Sequence, residues 1–554
     1  MPSQRWRRRF GHWLAKAFLA RFRLPRDAVR WALRRHATKL ALITPDRSLT
    51  YAQLQQRVMR LAGALQAAGI QPGDRVLCQL PDSAALIELR LAALEIGAVL
   101  MTMHAHADSE QVWKAITRVG PGLVVAGEHM PLARLALPEG IIRIATGGPY
   151  ERWVEEAEPL TERTRFEPEA TAALGMTSGT TGTPKLLAAT HRSLMTSLQL
   201  LIRHLDLEAA THDIGVAMSA IPLSGAGGGM LLPSLLSGAS LVIPRSYETQ
   251  DLVNAIETHG VERLFLTPSQ ISDVLDLSAD DLERLQSLRQ IIYGTEIMHL
   301  PHLIEAIQLF GPILQQGYGS AEVLPPVTLL SPTAHRLAMV KGDWHALHSV
   351  GAAVPEVSVS VRGANGRSLP SGQVGKVWVT SPTRFSDHWQ TGPGQGQGHE
   401  PSAGGTMSEP LYMGDLGYKD AMGRLHIMGR EADVIVVDDG ARLYPRELED
   451  HMLSHRAIKE VVVTQGADRR GPVLVVAASL RRKHKVKLAD EALAASLRDH
   501  LQTLKGLPPW PVDVRLVEKL PRSPLGKLLR KDVRQIALTA PNEAAESGGL
   551  RLAS

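Results

Sequence analysis

At 554 residues the chain is too long for one hydrophobic core, and its 44% hydrophobic and 21% charged content is that of an ordinary globular protein, so at least two domains are expected. One cysteine, Cys78, excludes an internal disulfide and a cysteine-based zinc site, and no stretch approaches 18 uninterrupted apolar residues, so no spanning helix is expected. The net charge of +5 is uneven: residues 1–40 carry +11 and the remainder −6, so the bulk of the chain is mildly acidic and no nucleic-acid partner is expected.

The basic end, "RWRRRFGHWLAKAFLARFRLP", sets Trp6, Phe10, Trp13, Leu14, Ala17 and Phe18 at helical spacing, with Arg5, Arg8, Arg9, Lys16 and Arg23 gathered opposite and Pro25 expected to stop the helix. Basic helices with aromatic faces lie on anionic membranes, so residues 1–24 are a candidate for peripheral membrane contact. An arm packed on its own domain, or a tail that stays unfolded, fits the same residues. The segment lacks the apolar region and cleavage site of a secretory signal, and a cytoplasmic location is expected.

From about residue 39 the pattern becomes regular. Leu54, Val58, Leu61 and Leu65 form one apolar helix face, which Gly69 and the "QPGD" turn end. "DRVLCQL" reads as a strand, followed by a helix over 82–94 and the apolar run "AVLMTM". Strand candidates return at "LVVAG", "SLVIP", "RLFLTP" and "RQIIYG", with helical stretches between several of them. Such alternation predicts an α/β protein of parallel sheets with helices on their faces. The Gly- and Pro-rich stretch 391–405 reads as a surface loop, and 539–554 as a frayed tail.

The run "MTSGTTGTPK" (176–185) can neither pack a core nor extend a helix. It follows "AALGM" and precedes a helix expected over 191–205. Gly179 and Gly182 let the backbone turn sharply near a ligand. Thr177, Ser178, Thr180, Thr181 and Thr183 add hydroxyls and Lys185 a cation, a combination suited to an oligophosphate. It is not the common nucleotide loop, because Pro184 stands where that loop requires a glycine.

"TSGTTGTPK" resembles the phosphate-binding signature of the adenylate-forming superfamily: acyl-CoA synthetases, adenylation domains and luciferases. Four further stretches resemble that family in its order. They are "SLTYAQLQQRVMRLAGALQAAGIQPGDRV", "GYGSAE" (317–322), "YMGDLGYKDAMGRLHIMGREAD" and "LPRSPLGKLLRKDVR". The resemblance spans residues 45–535 and implies activation of a carboxylic acid, fatty or aryl, by ATP and Mg²⁺ to an acyl adenylate. Transfer to the phosphopantetheine thiol of CoA, or of a separate acyl carrier protein, would follow. It also implies a large adenylation domain over 39–429 with a small β-barrel portion, after a basic extension over 1–38. A hinge at 430–433 would join this to a small, mobile α+β domain over 434–538.

By the same resemblance, Thr177–Lys185 hold the β- and γ-phosphates, with Thr180 catalytic, and Glu322 holds Mg²⁺. Tyr318 stacks on adenine in an element that includes Gly319 and Ser320, Asp415 accepts from the ribose hydroxyls, and Arg430 lies near ribose and phosphates. Lys527 bridges carboxylate and α-phosphate, and Gly440 sits beside the thiol's tunnel. Each has a plainer alternative: Tyr318 as a core aromatic, Asp415 as part of a hairpin, Lys527 as one more solvated lysine.

The chain departs from the family pattern at Ala321 and Met413, where threonines are usual, and at the hinge, where the usual Asp or Lys is Ala432, or Asp433 if the register slips. These departures motivate a rival reading from another class, a non-catalytic nucleotide or acyl binder. Gly225 stands where relatives that activate amino acids place a carboxylate, and a buried ammonium there would lack a partner. The run Ser224–Gly229, including Gly228, carries only small side chains, leaving room for a long or bulky acid; close packing of a glycine-rich helix start explains it equally. The opposite wall is expected from Gly294, Thr295 and Gly317, with Glu296 beside them either an exposed carboxylate or a polar contact to the acid.

Overall fold

The computed structural model describes residues 19–176, 186–205, 215–385, 409–438, 440–468, 471–484, 490–523 and 528–533. Thr177–Lys185, Lys527 and the stretches 1–18, 391–405 and 539–554 therefore lie outside the described residues.

Local sequence sets the early elements. The predicted apolar face becomes helix Tyr51–Ala67, opened by a reciprocal cap in which the Thr50 hydroxyl accepts from the Gln53 N–H and Gln53 accepts from the Thr50 N–H. Leu54, Val58, Leu61 and Leu65 are fully buried, each worth roughly 1.5–3 kcal/mol relative to exposure. Helix Ala84–Ile96 is apolar nearly all round because it is covered on all sides. Its core neighbours come from strands of two sheets, which it and helix Tyr51–Ala67 join into one body.

The first sheet has six strands, in the spatial order Ile142–Ala145, Leu123–Ala126, Arg75–Gln79, Val99–Met103, Thr171–Met176, Leu186–Thr190, all parallel except the last pair. The second has nine. Its parallel centre runs Leu314–Tyr318, Gln290–Gly294, Arg263–Leu266, Val216–Ser219, Ser240–Val242 and Leu40–Ile43, with antiparallel strands at both edges. A four-stranded antiparallel sheet follows, Ser358–Arg362, Gly375–Thr380, Leu411–Lys419 and Leu425–Arg430, around its own valine-rich core.

After Arg430 the chain builds a separate core running from Ile435 to Val514. It is formed by the sheet Ile458–Asp468, Gly471–Leu480 and Val512–Leu516 with helices Pro445–Leu453 and Glu491–Gln502. The molecule is α/β, a large part built on parallel sheets and a small α+β part.

Two local readings are revised. Pro25, expected to stop a helix, begins one: Pro25–Arg35 buries Ala28, Val29, Ala32 and Leu33 against the large body, where proline's missing N–H costs nothing at the first helical position. Arg26 donates to the carbonyls of Glu95 and Thr164, and Arg30 bonds the Glu95 carboxylate at 2.6 Å. The run 177–185 is also followed by the strand Leu186–Thr190, antiparallel to Thr171–Met176 in a register ending at Met176–Leu186, before helix His191–His204 starts. Among the described residues, no helix is long and apolar enough to cross a membrane.

Candidate active site

Parallel strands leave their loops at the carboxyl edge of the sheet, where ligands bind in open α/β folds. In the nine-stranded sheet that edge collects the segments after Ser219, Leu266, Gly294 and Tyr318. The last two are paired, Gly294 opposite Gly317. A Cβ on Gly294 would fall on the Gly317 carbonyl oxygen, so this pair needs glycine for close backbone approach. Thr295, the next residue, has φ of +76°, a strained conformation for a β-branched side chain.

Tyr318 ends its strand half-buried, and its hydroxyl donates to Asp415 Oδ2 at 2.6 Å. Asp415 lies on Leu411–Lys419 directly opposite Arg430 in the hairpin register, and Arg430 Nε sits 3.1 Å from Asp415 Oδ1. Each carboxylate oxygen is thus gripped by a different element, and the buried Asp415 is oriented from two sheets at once. Burial first, then the Asp415 charge and its hydrogen bond, push the Tyr318 hydroxyl well above its ordinary range, so it stays protonated and donating. Arg430 Nη1 also donates to the Met413 carbonyl at 2.7 Å, across Gly414 with φ of +75°.

The following loop is tied locally. Ser320 Oγ accepts from the Glu322 N–H at 3.2 Å and lies 4.0 Å from Met413 Sδ, so two positions near the family departures touch each other. The Glu322 carbonyl accepts from the Phe385 N–H at 2.9 Å. Its carboxylate is half-buried and, among the described residues, makes no hydrogen bond or ion pair. A Cβ on Gly319 would crowd Pro325.

The glycine-rich run follows strand Val216–Ser219. Gly225 precedes the short helix Ala226–Met230, with Ser224 half-buried before it. A Cβ on Gly227 would meet the Ile221 carbonyl, and one on Gly228 the Leu223 carbonyl and the Arg90 guanidinium. Close packing therefore accounts for these two glycines. Arg90 Nη2 donates to the Leu223 carbonyl at 2.6 Å, and Asp82 accepts from the Leu223 N–H at 2.8 Å and from the Tyr247 hydroxyl. Burial raises Asp82 and lowers Arg90 from their usual values. Sequence reading passed over both residues, which lie more than a hundred positions from the loop they brace.

Tyr318, Asp415, Arg430, Ser320 and Glu322 are thus assembled together, beside the Gly294–Thr295–Gly317 edge. Gly440 is not among them. It sits exposed, with φ of +82°, in the tight turn between Ile435–Val436 and Arg442–Leu443. Glu296, expected to be exposed or a polar contact, is 11% exposed at its side chain. It accepts from Ser269 Oγ at 2.6 Å and from the Leu528 N–H at 3.3 Å, on the small domain.

The family model for AMP-binding enzymes matches residues 29–389, about two-thirds of the chain. The chain belongs to that family. This AMP-binding enzyme is 27% identical to the medium/long-chain-fatty-acid–CoA ligase FadD8 of Mycobacterium tuberculosis, over 91% of its own length and 88% of the relative's. It is also 27% identical to the fatty acid–[acyl-carrier-protein] ligase ScoC of Streptomyces coeruleorubidus, over 90% and 93%. The solved structure of the amide bond synthetase McbA from Marinactinospora thermotolerans superposes with a TM-score of 0.73 at 25% identity, covering 92% of this chain and 99% of that one. The AMP-binding enzyme described here is an AMP-forming acid ligase of an ATP-using, adenylate-forming family.

Proposed function

We propose that the chain activates a fatty or aryl carboxylic acid with ATP, forming an acyl adenylate and pyrophosphate, and passes the acyl group to the phosphopantetheine thiol of CoA. The observation that carries this is the convergence of Tyr318, Asp415 and Arg430 at the carboxyl edge of a parallel sheet. A carboxylate fixed from both sides suits two ribose hydroxyls, Tyr318 offers an adenine face, and the Arg430 guanidinium, 40% exposed, is available to phosphate.

A negative nucleophile must approach a negative phosphate, so this reaction is driven by charge neutralisation and in-line positioning. Thr177–Lys185, with Thr180, are assigned the β- and γ-phosphates, and Lys527 the acid and α-phosphate. The half-buried Glu322 carboxylate, without a hydrogen bond or ion pair among the described residues, fits Mg²⁺, which takes one or two protein carboxylates plus phosphate oxygens. Bound there, the ion would neutralise phosphate charge.

The acid is assigned to the ground between Ser224–Gly228 and Gly294–Gly317. Gly225 offers no carboxylate to an ammonium, which supports an apolar acid. Residues 430–433 are assigned as the hinge and Gly440 as the thiol-side glycine. The likeness to ScoC, equal in identity to that with FadD8, supports a second reading in which a separate acyl carrier protein accepts the acyl group.

ATP–pyrophosphate exchange across a panel of fatty, aryl and amino acids tests the reading, followed by the active acid with CoA or with a phosphopantetheinylated carrier. Exchange is expected with an apolar acid and not with α-amino acids; no exchange with any acid refutes it.

A further inference from the structure

The segment carrying the expected catalytic lysine is flanked by two anchors that both end on one residue of the large domain. On one side, Arg522 lies 3.7 Å from Glu296 Oε1, and its Nη1 donates to Ser269 Oγ at 2.7 Å. On the other, the N–H of Leu528, next in sequence after Lys527, donates to Glu296 Oε1 at 3.3 Å. Ser269 Oγ donates in turn to Glu296 Oε2 at 2.6 Å. Arg522 and Leu528 are paired in a β-bridge, so the two anchors lie side by side on the small domain. Within that domain Arg522 also pairs with Glu460, which ties this anchor to the strand Ile458–Asp468.

The receiving end is equally fixed. Glu296 is two residues beyond Gly294 and next to the strained Thr295, at the sheet edge that holds Tyr318. Ser269 lies in the first turn of helix Pro268–Leu275, which leaves the neighbouring strand at the same edge. A carboxylate accepting from an amide and a hydroxyl, with a guanidinium 3.7 Å away, is a directional clamp, where a lone surface ion pair would fix little.

We propose that Glu296 is a positioning residue. It docks Arg522 and Leu528 of the small domain on the carboxyl edge of the nine-stranded sheet, and through these two residues on either side of the lysine sets it for adenylation. This rests on the adenylation reading above. Glu296 touches neither acid nor nucleotide in this scheme; it acts through the two residues it holds. The dock serves adenylation and not the later thiol step, because a small domain that turns away must release Arg522 and Leu528.

The test uses the full-length chain with Glu296→Ala, Glu296→Gln and Arg522→Gln, read by ATP–pyrophosphate exchange with the acid panel and by amide hydrogen exchange. Glu296→Ala is expected to lower exchange kcat by about 10–100-fold, with the KM for ATP within about threefold. Gln keeps one acceptor oxygen for Leu528 and can donate its amide N–H to the Ser269 hydroxyl, but it offers no charge to Arg522, so Glu296→Gln should recover part of the loss. Arg522→Gln should match it, and the Glu296→Gln/Arg522→Gln pair should be no worse than either single change.

In hydrogen exchange, protection should fall over 519–533 and stay unchanged in the small domain's strands 458–468 and 471–480. Wild-type kcat and wild-type protection over 519–533 in Glu296→Ala overturn the proposal. If Glu296→Ala does not fold, the two Gln variants decide, and wild-type behaviour in both overturns it. If the wild-type chain exchanges pyrophosphate with no acid, the functional reading fails by itself, while the protection pattern still decides the dock.

Discussion

Asp415 offers the sharpest test of the nucleotide assignment, because two of its partners among the described residues are known and a nucleotide analogue can delete a ligand-side donor. Tyr318 and Arg430 hold one carboxylate oxygen each, at 2.6 and 3.1 Å. If the ribose hydroxyls also donate to this carboxylate, each bond joins a neutral donor to a charged acceptor, a class worth about 1.5–3 kcal/mol. That corresponds to about 10–150-fold in Kd for each hydroxyl removed. The wild-type chain should therefore bind 2′-deoxy-ATP and 3′-deoxy-ATP at least about tenfold more weakly than ATP.

In Asp415→Ala all three nucleotides should bind within about threefold of one another, each weakly, as read by titration calorimetry. The cycle of protein and ligand deletions isolates the bond from general damage. The same substitution leaves the Tyr318 hydroxyl without its acceptor, costing about 1–3 kcal/mol of stability, part of which Tyr318→Phe should restore. An Asp415→Ala protein that still prefers ATP over both deoxy analogues by tenfold would refute the ribose assignment.

Acid should destabilise the chain through its buried histidines. Burial lowers His191, His335 and His426 to about 4 and His302 to about 3, so the unfolded state binds more protons below 6.5. Stability is full above that value and falls as pH drops toward 4, by on the order of 2 kcal/mol per histidine at about pH 5, which urea midpoints along a pH series will check. For the basic end, deleting residues 1–18 should lower sedimentation with anionic vesicles and spare adenylation. Deleting 1–36 should also cut the yield of folded protein, because it strips Ala28, Val29, Ala32 and Leu33, each at most 1% exposed, from the body.

What could be read from the sequence followed the range of the interaction. Strands such as Arg75–Gln79 and Gln290–Gly294 were legible because a strand covered on both faces must be an apolar run. Leu186–Thr190 was missed because "LLAAT" carries no β-branched residue before Thr190, and it is a strand only through pairing with Thr171–Met176. Tyr318, Asp415 and Arg430 were found through family resemblance; their spacing alone contains neither the register that sets Asp415 opposite Arg430 nor the bulge between Leu416 and Gly417. Of the two sequence readings of Glu296, exposed or a polar contact to the acid, neither contains its partners Arg522 and Leu528, which lie far along the chain where nothing local signals them.

If the small domain turns, as the proposed second step requires, the contacts across the interface show what must change and where the pivot lies. Asp450 accepts from His299 Nδ1 and His348 Nε2, both at 2.7 Å. Burial opposes its charge, yet these hydrogen bonds hold its carboxyl well below the usual range. Arg446 donates to the carbonyls of Ile427 and Met298, Arg481 pairs with Glu305, and Lys459 with Asp273. These are bonds that water can replace, whereas the apolar cluster from Ile435 to Val514 belongs to the small domain and travels with it. At the crossing, Glu431 is tied to Tyr412 at 2.7 Å and to Lys376 at 3.1 Å, both in the four-stranded sheet. Asp433, two residues on, faces Arg530 of the small domain at 3.8 Å. One neighbour is anchored to each body, and Ala432 between them has a side chain that can form no polar bond to either. A change in the dihedrals of Ala432 therefore breaks no side-chain tether, only the 3.5 Å bond from the Val434 N–H to the Glu431 carbonyl that spans it, which makes alanine at this position compatible with rotation.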